Sequence, residues 1–224
     1  MWIECKDGDE HVARLTKAVS DGLAATLAEQ GRATLAVSGR RSPVPLFHAL
    51  AEADLDWSRV TVTLVDERFV PADHADSNER LVREHLMVGR ARAATFVGLV
   101  ADPEDLAASV AAANRAYRPI DVAVLGMGED GHTASLFPDA PEFSAGLAPA
   151  NPAAYLSVTP PAAPHARVSL TLAALLSAKR LILAIAGEPK RRVYDAASAN
   201  LTTALPISAL IHQTKVPFDA YWTR

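Results

Sequence analysis

The sequence predicts an α/β fold with a mostly parallel sheet that is flanked by helices. Segments with the apolar periodicity of a helix alternate along the chain with short apolar runs of strand length. With 224 residues, of which 50% are hydrophobic, the chain can bury a substantial core. We therefore expect a single domain over residues 1–224.

The first half of the chain begins with a predicted amphipathic helix over residues 12–30. Its apolar residues recur at every fourth position from Leu15 to Leu27, and Gly31 follows as a C-terminal stop signal. Ser77 is a candidate N-cap for a later helix, although it lacks the acidic partner three positions on that completes a capping box. The other predicted elements of this half are strands at 33–37, 60–65 and 95–99 and helices at 46–53 and 77–87.

The second half of the chain continues the alternation of helices and strands. A helix is predicted to begin at Pro103, because proline is favoured in the first turn of a helix. Residues 139–164 are rich in proline and alanine, which predicts loops and short strands. The other predicted elements are strands at 121–125, 167–172 and 180–186, a helix at 189–199, and a final edge strand at 218–222.

Polar and glycine-bearing stretches directly follow several of the predicted strands. In open α/β folds, ligands bind outside the carboxyl ends of the strands. We therefore expect these stretches to form one composite site. They are Ser38-Gly39, Asp66-Glu67-Arg68, the stretch from Gly126 to His132, and the stretch from Gly187 to Lys190.

Composition and charge exclude several classes of function. The net charge of −4 argues against broad nucleic-acid binding, although a few local cations can still bind a small anion. No apolar run approaches the roughly 20 residues that span a bilayer, and the charged N-terminus is unlike a signal peptide. Cys5 is the only cysteine, which excludes a disulfide framework and a cysteine-based metal site. We expect a cytoplasmic protein, and nothing implies an obligate protein partner.

The glycines at 126, 128 and 131 have the G-x-G-x-x-G spacing of a dinucleotide-binding loop. Such a loop leads into a full helix, whose N-terminus holds the pyrophosphate. Here Pro138 limits any helix to less than two turns, and Glu129 and Asp130 would place negative charge beside the pyrophosphate. The sequence therefore argues against nucleotide binding at this loop.

His132 follows the third glycine and is expected at the start of a short helix beyond the strand. A histidine with an acidic neighbour can be held neutral and oriented to accept a proton near pH 7. Asp66 and Asp130 are both candidates for that neighbour. A purely structural interpretation is also open, in which His132 caps the helix and the residues before it form a turn.

Residues 126–138, with the sequence G-M-G-E-D-G-H-T-A-S-L-F-P, closely resemble the signature of the 6-phosphogluconolactonase family. Further blocks resemble that family in the same order along the chain. This resemblance implies a Rossmann-like three-layer fold of the kind shared with glucosamine-6-phosphate deaminases (NagB/RpiA/CoA transferase-like). The further blocks are residues 38–43, 65–71 with 76–78, 167–171 and 187–190.

The resemblance implies a carboxylic-ester hydrolase of the oxidative pentose phosphate pathway. Members convert 6-phospho-D-glucono-1,5-lactone to 6-phospho-D-gluconate, and the reaction requires no metal or cofactor. On this basis His132 is the expected general base for water, with Asp66 or Asp130 as the residue that orients it.

The family's substrate carries a phosphate, which several residues of the matching blocks are expected to bind. Arg167 is instead a candidate for stabilising the oxyanion or for binding a hydroxyl-bearing face of the substrate. The second glycine of the family's Ser-Gly-Gly block is Arg40 here, which leaves open whether Arg40 or Arg41 faces the ligand. The expected phosphate ligands are the backbone N–H groups of Ser38, Gly39 and Arg40 and the side chains of Arg41, Arg68 and Lys190.

Two rival functions have to be weighed against the lactonase. A deaminase-like sequence would continue after the histidine as Ile-Ala-Phe-Asn-Glu-Pro, and this chain has no glutamate there. It also has Asp-Glu-Arg where deaminases carry Asp-Glu-Tyr. A non-catalytic sugar-phosphate-binding regulator would be expected to lose its catalytic groups, whereas Asp66 and His132 are present.

The remaining histidines do not predict a metal site. His74 is expected at the surface of the loop at 71–76. The others have no ligand spacing, namely His11, His48, His85, His165 and His212.

Overall fold

The main sheet consists of parallel strands. The structure is a computed structural model that describes residues 1–39 and 43–224. In chain order, the strands of these residues are β1 (Trp2–Cys5), β2 (Ala33–Val37), β3 (Val60–Leu64), β4 (Asp66–Arg68), β5 (Thr95–Val97), β6 (Val122–Leu125), β7 (Tyr155–Val158), β8 (Arg167–Leu170), β9 (Arg180–Ala186) and β10 (Phe218–Thr223). Seven of them form one sheet in the order β1-β10-β9-β6-β2-β3-β5, and every neighbouring pair is parallel. The predicted fold class is therefore confirmed.

Helices connect the parallel strands, as the alternating pattern predicts. Within the described ranges they are α1 (Gly8–Gln30), α2 (Val44–Ala51), α3 (Asn78–His85), α4 (Leu106–Ala116), α5 (Phe143–Gly146), α6 (Leu172–Leu175), α7 (Glu188–Ala199) and α8 (Ser208–Ile211). The predicted cap of α3 is present, because the Ser77 side chain accepts a hydrogen bond from the backbone N–H of Arg80. None of these helices is both long and apolar enough to cross a membrane.

The hydrophobic core lies between the parallel sheet and its helices. Three apolar residues of α1 recur at every fourth position, as predicted, and are almost completely buried, namely Leu15, Val19 and Leu23. The central strands β2 and β6 are buried along their whole length. Each aliphatic side chain buried in this way contributes roughly 1.5–3 kcal/mol to stability. This core fixes the strand ends, and with them the positions of the residues that follow the strands.

A second, antiparallel sheet of three strands, in the order β4-β8-β7, was not predicted from the sequence. In its register Asp66 lies opposite Ser169, Glu67 opposite Val168 and Arg68 opposite Arg167. The strands β4 and β8 are three and four residues long, and such short segments carry little periodicity of their own. This small sheet brings two arginines from distant parts of the chain together.

Two local predictions are wrong. The strand at 218–222 is not at an edge, because β1 pairs with its outer side. The short helix expected at His132 is absent from the described residues between 132 and 142, where Thr133 and Leu136 instead form an isolated bridge. In this turn the Ser135 N–H donates to Ser169 Oγ and the Ser135 hydroxyl donates to Asp66, so tertiary hydrogen bonds take the place of helical ones.

Candidate active site

A cleft lies at the carboxyl ends of the central strands, with a cavity volume of about 160 Å³. Residues from each of the four polar stretches line it, so the structure brings those stretches together as one site. Arg40 and Arg41 lie outside the described residues. The predicted site residues that line the cleft are Ser38, Gly39, Asp66, Arg68, His132, Arg167 and Lys190.

His132 and Asp130 form a hydrogen-bonded pair at the edge of this cleft. The imidazole Nδ1 donates to Asp130 Oδ1 at 2.5 Å, and the His132 side chain is only 10% exposed. The backbone N–H of His132 donates to the same carboxylate at 3.2 Å. Burial alone would raise the pKa of Asp130, but the hydrogen bond and the charge of His132 outweigh burial and lower it. The pair therefore fixes the ring orientation and directs Nε2 away from the carboxylate.

Gly128 makes room for this pair. A Cβ atom at this position would lie 2.3 Å from both His132 Nδ1 and Asp130 Oδ1, which is far too close for any side chain. The Gly128 N–H also donates to the His132 carbonyl oxygen at 2.9 Å and closes the loop. This glycine is therefore needed so that the backbone can pass close to the histidine and carboxylate side chains.

Asp66, the other candidate neighbour of the histidine, has a different hydrogen-bond partner. Its Oδ2 accepts a hydrogen bond from the Ser135 hydroxyl at 2.6 Å. Ser135 is 1% exposed and lines the cleft, and the sequence interpretation did not single it out. The geometry thus favours Asp130 as the residue that orients the imidazole. The Asp66 carboxylate lies in the cleft beside Ser135 instead.

Glu67 anchors two segments that contribute residues to the cleft, and only 1% of its surface is exposed. Its carboxylate accepts hydrogen bonds from the N–H groups of Arg68, Asn78 and Glu79 at 2.7 Å each, and from the Ser77 hydroxyl at 3.1 Å. Burial raises the pKa of Glu67 to about 7, although each of these hydrogen bonds lowers it. The carboxylate thereby ties the start of α3 to β4.

Asn78 extends this anchor to the residues that line the cleft. Its side-chain N–H donates to the Asp66 carbonyl oxygen at 2.8 Å, and its Oδ1 accepts from Arg68 Nη1 at 2.9 Å. A Cβ on Gly39 would lie 1.9 Å from Asn78 Oδ1, so the loop after β2 can approach only as glycine. Asn78 thus connects two of the four polar stretches through one side chain, Asp66 and Arg68 by hydrogen bonds and Gly39 by contact.

Among the residues that the structure describes, three cationic side chains line the cleft near these anchors, namely Arg68, Arg167 and Lys190. Arg167 is 6% exposed, and its Nη1 donates to the carbonyl oxygens of Pro164 and His165 at 2.7 Å each. Lys190 lies in the first turn of α7. An anion in the cleft would therefore meet positive charge from three separate segments.

His11 also lines the cleft, and the sequence interpretation assigned it no role. Its Nε2 lies 3.1 Å from the Tyr221 carbonyl oxygen. Burial lowers the pKa of His11, and the hydrogen bond to the carbonyl only partly offsets that effect. His11 is therefore a neutral, hydrogen-bonded side chain in the lining of the cleft, and it adds no further positive charge.

Comparison with known proteins gives a consistent result. Residues 6–222 match the family model described as glucosamine-6-phosphate isomerases/6-phosphogluconolactonase. A 6-phosphogluconolactonase of Pseudomonas putida is 45% identical, covering 98% of this chain and 91% of the relative. The crystal structure of a 6-phosphogluconolactonase from Shewanella baltica superposes with a TM-score of 0.93 at 36% identity, covering 100% and 97% of the two chains.

A more distant solved structure shares the fold alone. It is a monomeric glucosamine-6-phosphate deaminase at 18% identity, with a TM-score of 0.81 over 100% of this chain and 97% of the other. The two kinds of enzyme therefore have one architecture, and the higher identities are to lactonases. The chain belongs to the glucosamine-6-phosphate isomerase/6-phosphogluconolactonase family.

Proposed function

We propose that this protein hydrolyses 6-phospho-D-glucono-1,5-lactone to 6-phospho-D-gluconate, a step of the oxidative pentose phosphate pathway. The observation that carries the proposal is the oriented His132–Asp130 pair in the same cleft as three cationic side chains. A sugar-phosphate lactone needs both an activated water and a site for its phosphate. The related proteins that bear the name 6-phosphogluconolactonase support this substrate.

The hydrolysis is proposed to begin with His132 acting as a general base. Because the Nδ1–H group donates its hydrogen bond to Asp130, Nε2 is the nitrogen that takes a proton from water as the water oxygen bonds to C1. The imidazolium formed in this step is stabilised by the Asp130 carboxylate. It then gives its proton to the ring oxygen as the C1–O bond breaks, so the histidine is neutral again after each turnover.

The phosphate is proposed to lie against Arg68 and Lys190. A phosphate monoester is close to a dianion at pH 7, and charge-assisted hydrogen bonds from a guanidinium and an ammonium are the strong kind. Arg167 is proposed to face the lactone carbonyl, where it would stabilise the oxyanion. The backbone N–H groups of residues 38–40 and the side chain of Arg41 stay predictions as phosphate ligands.

No step of this mechanism uses a metal or a cofactor. We further propose that the enzyme acts in the cytoplasm, because a phosphorylated sugar is too polar to cross a membrane unaided. Its proposed partner is the small-molecule lactone alone.

The direct test is a lactonase assay at fixed pH on freshly made lactone, with spontaneous hydrolysis subtracted. Enzyme-dependent acid release that saturates with substrate is the expected result. A parallel assay measures ammonia release from glucosamine 6-phosphate. Ammonia release without lactone hydrolysis would identify a deaminase, and saturable binding without either reaction would identify a regulator.

A further inference from the structure

Two histidines and an aspartate meet in the segments that bond to the cleft residues Arg68 and Arg167, outside the residues used in the proposed mechanism. His74 and Asp76 lie between β4 and α3, and His165 lies just before β8. Asp76 Oδ2 is 3.1 Å from His165 Nε2 and 3.9 Å from His74 Nδ1. One donor atom of each side chain lies within 4.8 Å of the other two. We call these three residues the rim cluster.

The donor set of the rim cluster suits a transition-metal ion. Imidazole nitrogen and carboxylate oxygen bind Zn²⁺ at about 2.0–2.2 Å, so donors at the corners of a tetrahedron are about 3.4 Å apart. The separations in the rim cluster bracket that value. The side chains are 28–56% exposed, so small rotations can close the remaining difference, and water can occupy the fourth position.

One hydrogen bond identifies the unprotonated nitrogen of His74. The backbone N–H of Asp76 donates to His74 Nδ1 at 3.1 Å, so this nitrogen carries the lone pair and faces Asp76. An ion at this nitrogen would replace the hydrogen bond, and because Asp76 is exposed, water can then satisfy its N–H. His165 has a positive φ of 68°, a backbone conformation that non-glycine residues rarely adopt.

We propose that the rim cluster binds a divalent transition-metal ion, with Zn²⁺ as the best match to two imidazoles and one carboxylate. The site is separate from the proposed hydrolysis, and its test does not depend on activity. The ion would join two loops whose carbonyl groups also hold cleft arginines. The Asp76 carbonyl accepts from Arg68, and the His165 carbonyl accepts from Arg167. Binding would therefore stiffen the segments that hold these two arginines.

The experiment is a calorimetric titration of Zn²⁺ into the full chain without an affinity tag. The wild-type protein is compared with His74→Ala and His165→Asn, where asparagine tolerates positive φ better than most residues. The matched control is the double variant His48→Ala/His85→Ala, which removes another imidazole pair whose nitrogens are 3.0 Å apart. We expect both rim variants to lose at least about tenfold in affinity and the control to keep wild-type affinity.

A second readout and a further variant separate the possible outcomes. Zn²⁺ should raise the Tm of the wild type and of the control but not that of the rim variants, since a ligand that binds only the folded state stabilises it. His132→Ala should keep the Zn²⁺ affinity of the wild type. Loss of binding in His132→Ala alone would assign the ion to the His132–Asp130 pair and overturn the proposal, as would equal affinity in all variants. If His165→Asn does not fold, His74→Ala, at an exposed position, gives the same comparison.

Discussion

The two walls of the cleft are built in different ways. One wall, which we call the catalytic wall, is the single loop from Gly126 to Phe137, in which Asp130 and His132 are two residues apart. The other, the cation wall, joins β4 and β8 with the start of α3, and places Arg68 beside Arg167 across 99 positions of sequence.

This difference separates chemistry from binding. The catalytic wall holds one acid–base pair by a tight loop and a glycine, so changes there should act on kcat. The cation wall holds Arg68 through Asn78, which Glu67 anchors, so a change at Arg68 should act first on KM. Arg167, which is proposed to face the oxyanion, should also affect kcat. The comparison fails if variants of the two walls cannot be distinguished in kcat and KM.

The largest effect is expected for His132→Ala. Without the imidazole, water has no base and the leaving oxygen has no acid, so kcat should fall by roughly 10²- to 10⁴-fold while KM changes little. The assay is initial-rate lactone hydrolysis, with the variant's unfolding curve measured in parallel. If the variant loses stability but keeps wild-type turnover, His132 has a packing role and not a catalytic one. The distinction between a catalytic wall and a cation wall would then be wrong.

Asp130→Asn should have the next largest effect. The amide cannot hold the Nδ1 proton and stabilise the imidazolium as the carboxylate does, and we expect kcat to fall between about 10- and 1000-fold. The Asp130 side chain is 50% exposed, and solvent screening argues for the lower part of that range. Glu129→Gln, an exposed carboxylate in the same loop, is the matched control and should keep wild-type kcat. If both variants lower kcat equally, Asp130 acts only through the negative charge that it adds to the loop and not through its hydrogen bond to His132.

Arg68→Ala tests the cation wall. Removing a charged hydrogen-bond donor to phosphate should raise KM by roughly 10- to 100-fold, with a smaller change in kcat. Arg59→Ala, which removes a 60% exposed arginine paired with Asp56, should leave both constants unchanged. An unchanged KM for Arg68→Ala would exclude Arg68 as a phosphate ligand.

The sequence predicted that residues of both walls would share one cleft, but it left the partner of His132 open between Asp66 and Asp130. Gly128, Asp130 and His132 lie within a stretch of five residues, so a short loop is enough to bring them into contact. The alternating apolar runs likewise predicted the parallel sheet, since burial on both faces produces them. That the chain forms one domain stays a prediction.

What the sequence missed depends on tertiary contacts between distant segments. The β4–β8 pairing, the Ser135–Asp66 hydrogen bond and the rim cluster each bring together segments at least 69 positions apart. His165 and His74 had no ligand spacing in the sequence, because their proximity arises only when β4 and β8 pair. The short helix expected at His132 failed for the same reason, since Ser135 bonds to other segments.

The smallest effect concerns the pH dependence of the Glu67 anchor. With its pKa raised by burial from 4.5 to about 7, the folded state holds a proton across this window that the unfolded state has released. The free energy of unfolding should therefore fall as pH rises from about 4.5 to 7. Glu67→Gln cannot titrate and should show a flatter dependence. It should also lose roughly 1–3 kcal/mol at every pH, because the amide NH2 that replaces one carboxylate oxygen cannot accept the hydrogen bonds which that oxygen receives. Denaturant unfolding at several pH values measures both terms, and Glu84→Gln, an exposed change on α3, should keep the wild-type slope. Parallel slopes for all three proteins would mean that the four hydrogen bonds keep Glu67 ionised throughout, and that the anchor is insensitive to pH.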